Sequence, residues 1–153
     1  MEIHQDGPDP AHRRPEGVSN ETVEALGALS KSLETTERAR GHLYSFHQLT
    51  GTADLPLDRA VELLRRAGHP AWADRVQSEI LGRNVIPKHW TFQIVEAYDV
   101  TYHRPFTLLE REAVDQLAHG RGHLYEGEMR EARRTVGHPH HAARPPGSHE
   151  HPE

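Results

Sequence analysis

SNETVEALGALSKSLETTERARGHLYSFHQLT, residues 19–50, decides the class of fold. At 100° per residue, Leu26, Leu29, Leu33, Glu37, Arg40, Tyr44 and His47 fall within an arc of about 80°. A stripe with that period marks a helix, apolar in its first half and polar in its second. Ser19 or Asn20 is placed to cap its start, with Thr22 and Glu24 in the first turn, and Gly51 to end it after Thr50. No stretch of the chain alternates with period two for long enough to suggest a sheet.

The same marks extend outward. A short helix is expected over residues 57–67, with Ala60, Val61, Leu63 and Leu64 on its apolar side and Gly68 beyond it. Another covers 71–81, packing Trp72, Val76, Ile80 and Leu81, and stops at Gly82. Residues 83–89 connect through Pro87 to a helix over 90–103, which breaks before Pro105. The last spans 107–136, closed by Gly137. The expected fold is an all-α bundle of about five helices, two long and three shorter, within residues 19–136.

The ends differ in composition. Seven of the 11 prolines and seven of the 14 histidines lie outside residues 19–136. Such segments bury too little apolar surface to offset their ordering entropy, so 1–18 and 137–153 read as disordered tails. His138, His140, His141, His149 and His151 give the second tail an incidental affinity for Ni²⁺, Cu²⁺ or Zn²⁺.

Composition removes several classes of function. The 153 residues contain no cysteine, which excludes disulfide scaffolds and Cys-ligated zinc. Mean hydropathy is −0.80, and no apolar run approaches the ~20 residues of a membrane span, so no membrane insertion is expected. MEIHQDGPDP at the N-terminus has acids and prolines where a signal peptide has a basic start and an apolar run, which points to a cytoplasmic protein. Residues 19–136 hold 17 acids and 15 bases, and no basic cluster occupies one face. A phosphate-neutralising surface is missing, so no nucleic acid is expected as a partner.

Arg40–Tyr44 (RGHLY) recurs as Arg121–Tyr125, 81 residues on. The repeat suggests two pseudo-equivalent helices passing closely at Gly41 and Gly122, because glycine inside a helix costs about 1 kcal/mol relative to alanine.

Three faces carry polar residues inward. The first helix offers Glu37, Arg40, Tyr44 and His47; the fourth, Glu96, Asp99, Tyr102 and His103 beside Phe92 and Val95. The last offers Arg121, Tyr125 and Glu128 beside Val114, Leu117 and Leu124. His42, His119 and His123 fall on outer faces. Glu37, Glu96, Asp99 and Glu128 sum to −4 against +2 from Arg40 and Arg121. A buried excess of negative charge is costly, and pairing with the arginines, protonated histidines or a divalent cation would relieve it. Candidate ligands for Fe, Mn, Zn or Ni are Glu37, His47, Glu96, Asp99, His103 and Glu128.

That plan resembles the carboxylate- and histidine-lined bundles of ferritin-like di-metal proteins and hemerythrins. Neither the Glu-x-x-His pairs of the first nor the paired histidines of the second are present, so no family follows. No nucleophile elbow, phosphate-binding loop or dinucleotide fingerprint occurs. The expected function is a non-enzymatic helical accessory or interaction module, docking a protein partner or itself. The alternative is a divalent-metal protein, with redox or hydrolytic chemistry as a further step.

Overall fold

The computed structural model describes residues 7–145. It is all-α, as the periodicity predicts, with a single isolated bridge, Ile86 to His89, in place of any strand among the described residues. The helices are α1 (Asn20–Arg66), α2 (Pro70–Glu79), α3 (Thr91–Tyr98), α4 (Arg104–Ala118) and α5 (Leu124–Arg133). A π turn, Asp99–His103, joins α3 to α4 without a break. The chain therefore forms four separate helices rather than five.

Ser19 caps α1 as its sequence position predicts, its Oγ accepting the Thr22 N–H at 3.1 Å. The stop expected at Gly51 does not occur. α1 runs on through Gly51 and Pro56 for 47 residues, ~70 Å at 1.5 Å per residue. Gly51, Thr52 and Pro56 are exposed, so water can meet the Thr52 carbonyl that Pro56 leaves without a donor. Asp54, in the same stretch, accepts the Gly82 N–H at 2.8 Å, which ties the helix to the loop after α2. That tie opposes the local tendency to break.

Pro105 does not end its helix either. Within the π turn the Arg104 N–H reaches back five residues to the Asp99 carbonyl. This wider turn accommodates the proline, whose ring would crowd the carbonyl four residues earlier in a regular helix.

The predicted helix 107–136 is broken where it was expected to be continuous. His119 (φ 52°), Gly120 (φ 76°) and His123 (φ 56°) are left-handed, and the Gly120 N–H closes α4 on the Val114 carbonyl at 3.2 Å. Two glycines within three residues make this the weakest point of the pattern. The helical phase resets there, and Leu117, expected inside, is 53% exposed.

The chain packs as two compact units, Thr35–Pro105 and the combination of Met1–Glu34 with Phe106–Glu153. The core of the second comprises Val23 and Leu26 of α1, Val114 and Ala118 of α4, and Leu124 of α5, flanked by Val18 and Ala113. Ser30 Oγ donates to Glu110 Oε1 at 2.6 Å beside it. In Thr35–Pro105 only Ala73 and Val95 among the hydrophobic side chains are buried, with Thr36.

Residues 7–18, read from composition as a disordered tail, carry a turn at Pro10–His12 and pack on α5 and the turn before it. The Arg14 guanidinium clamps Glu128 at 2.8 and 2.9 Å. The His12 Nδ1 lies 2.8 Å from the Gly122 carbonyl, and the Gly7 N–H donates to Glu131. The docking rests on polar pairs rather than on apolar burial. At the other end, Arg130 donates to the Ala142 carbonyl, and the tilted His138 and His141 rings lie with centroids 4.2 Å apart. Residues 1–6 and 146–153, with His149 and His151, lie outside the described residues.

Gly41 and Gly122 do not mark a helix crossing. An added Cβ would meet nothing within 4 Å at either. Arg121–His123 belong to the turn before α5, whereas Arg40–Tyr44 lie in mid-helix, so the two RGHLY segments adopt different conformations. The close approaches are at Gly27, where an added Cβ would stand 3.2 Å from Tyr125 Cβ, and at Gly127, where it would stand 3.1 Å from the His12 carbonyl oxygen.

Candidate functional site

Glu37, Arg40, Tyr44 and His47 share one face of α1, as their spacing predicts, and the π turn brings Asp99 and His103 to it. Arg40 Nε and Nη2 donate to the two Asp99 oxygens at 2.7 and 3.0 Å, a bidentate pair. The same guanidinium lies 5.1 Å from the Tyr44 ring centroid and 3.5 Å from its hydroxyl. His103 Nε2 lies 2.5 Å from Glu37 Oε1, and His47 Nδ1 lies 2.7 Å from Thr91 Oγ1. Tyr102 packs on Tyr98, with ring centroids 5.5 Å apart. Glu96 is exposed.

The cation at this centre is therefore Arg40. Its hydrogen bonds hold Asp99 below the usual carboxylate range, more strongly than partial burial raises it, with His103 and Arg104 adding attraction. Arg40 is in turn held more firmly protonated by Asp99. The five expected metal ligands of this unit do not form one ligand group: Asp99 is clamped, Glu37 is against His103, His47 faces Thr91, and Glu96 turns to solvent.

The other three expected residues lie in the second unit. Glu128 is held by Arg14, an arginine that a reading of residues 7–18 as tail could not supply. Arg121 donates to the Arg13 carbonyl at 3.1 Å rather than to an acid, and Tyr125 lies against Gly27. Among the described residues, the group of three carboxylate and imidazole donors whose ligand atoms all lie within 4.8 Å of one another is Glu34, His123 and Glu126. His123 is exposed, as its outer-face position predicts, and sits in the turn before α5 rather than within a continuous helix.

No protein-family model, curated protein or solved structure matches this chain. Among the described residues, no helix is long and apolar enough to cross a membrane.

A second feature of Thr35–Pro105 was not anticipated. Gly51, Ala53 and Leu57 of α1, with Ile80, Val85 and Trp90 of the connection between α2 and α3, line an open groove of about 540 Å³. Ile80, Val85, Ile86 and Trp90 are 43–60% exposed, and the Trp90 and Phe92 rings lie 5.3 Å apart. The signal was present in the sequence: a connection carrying Val85, Ile86 and Trp90 is unusually apolar for a loop.

Acid should weaken this unit through the clamp. Asp99 and Glu79, the latter paired with Arg75, have folded-state pKa values below their unfolded ones. Each contributes stability that is present above the unfolded value and lost as pH falls through the folded one. Helical circular dichroism of the chain should fall as pH drops below about 4. The Arg40→Met variant should show a shallower acid dependence, since Asp99 then titrates near its unfolded value. Superimposable acid profiles would remove the clamp from the account.

Proposed function

We propose that the chain is a helical protein-interaction module that docks a partner, or a further copy of itself, through the apolar surface of residues 35–105. One observation carries the reading. This unit buries Ala73 and Val95 while Trp72, Ile80, Val85, Ile86 and Trp90 stand 43–60% exposed. Exposed single hydrophobics are ordinary; a cluster beside a groove marks a contact surface. The Arg40–Asp99 and His103–Glu37 pairs fit a role in fixing α1 against the π turn. Site-specific photocrosslinking tests the proposal. A photoreactive residue at Ile86 should capture a protein in expressing cells, and one at exposed Glu21 should not. Equal yields at both positions, or none at Ile86, would remove the basis of the reading.

A second reading, divalent-metal binding, is favoured by the grouping of Glu34, His123 and Glu126. Their ligand atoms lie within 4.8 Å of one another, close to the ~3–4 Å separations of a tetrahedral shell. Metal analysis of untagged protein should then show one equivalent that the His123→Ala variant lacks. Equal metal content in the two would end this reading.

A further inference from the structure

We infer that the groove of Thr35–Pro105 is where two copies of this chain meet, groove to groove about a two-fold axis. The inference rests on the module reading and names its partner.

Knob and hole lie on one surface. Trp90 is 60% exposed and also forms part of the wall of the groove. A two-fold axis at such a surface makes it self-complementary, each copy offering its indole to the other's groove. Tryptophan at the centre of a contact is the residue type that most often carries its energy. Ile80, Val85 and Ile86 beside it, with Phe92 packed on it, extend the apolar face toward the ~800 Å² per partner of a standard interface.

The charges on this surface suit a second copy of the chain. The groove is lined by one acid, Asp54, and one base, Arg83. Residues 35–105 contain 8 acids and 9 bases, and so present little net field to a strongly acidic or basic partner. Two-fold pairing sets Asp54 of each copy against Arg83 of the other, so opposite charges meet without help from another protein.

Sedimentation velocity over a concentration series tests this with the full chain. The native chain should be dimeric, and Asp54→Arg and Arg83→Asp should each weaken the dimer at least ten-fold while circular dichroism confirms the helices; Asp54→Asn, which keeps an acceptor for the Gly82 N–H, should weaken it less than Asp54→Arg. An equimolar mixture of the two variants should dimerise again. In the mixed pair both contacts join an arginine to an aspartate, whereas each variant alone sets like charges together. Trp90→Asp should be monomeric and should not be rescued by mixing. A native chain that stays monomeric, single variants that dimerise normally, or a mixture that fails to recover would each overturn the inference. A monomeric native chain that still crosslinks through Ile86 to a different protein would overturn it while leaving the module reading intact.

Discussion

Replacing Leu124 with alanine is expected to destabilise the chain by ~2–5 kcal/mol, the usual cost of truncating a buried leucine. Leu124 is 4% exposed and is one of only five buried hydrophobic residues in its core. It is also the first residue of α5, the helix that holds the N-terminal segment through Glu128 and Glu131. Loss of its side chain leaves a void at the meeting point of α1, α4 and α5, with few neighbours to fill it. Urea denaturation followed by circular dichroism gives the value. Leu117→Ala is the control: that side chain is 53% exposed, and its loss should cost under about 1 kcal/mol. A reversed order would mean that the helical phase runs unbroken from α4 into α5.

The second large effect concerns small residues. Gly27→Leu should cost ~1–3 kcal/mol, because even a Cβ there stands 3.2 Å from Tyr125 and a longer side chain forces the two helices apart. Gly41→Ala should do the opposite. Nothing lies within 4 Å of its added Cβ, and an alanine in a helix is favoured over glycine by about 0.5–1 kcal/mol. Paired thermal melts would show the contrast. A destabilising Gly41→Ala would restore the crossing that the RGHLY repeat suggested.

Much of the architecture was legible because it depends on local chemistry. Helical periodicity gave the class, Ser19 the start of α1, and the spacing of Glu37, Arg40, Tyr44 and His47 their common face. The Arg40–Asp99 pair was one of the outcomes that charge balance allowed. What escaped the sequence depended on neighbours. Gly51 and Pro105 read as stops, and each is absorbed, the first on an exposed stretch and the second behind a π turn. Gly122 reads as a packing glycine, yet it lies in the turn that follows the left-handed Gly120 and ends α4. The prolines and charges of the first segment bury little, and the contacts it makes are the polar ones of Arg14, His12 and Gly7. The groove escaped for a different reason. Ile80 reads as part of a helical core, whereas Val85 and Trp90 lie within and at the end of a connection, whose apolar side chains a count of helical faces passes over.

The central claim is that residues 35–105 hold their apolar groove open until a protein covers it. Acrylamide quenching of Trp90 fluorescence, read in a Trp72→Phe background that leaves it the sole indole, measures this directly. The account predicts nearly unhindered quenching in the dilute chain and a several-fold fall in the quenching constant as concentration rises and copies pair. An indole already shielded at the lowest concentration would contradict it.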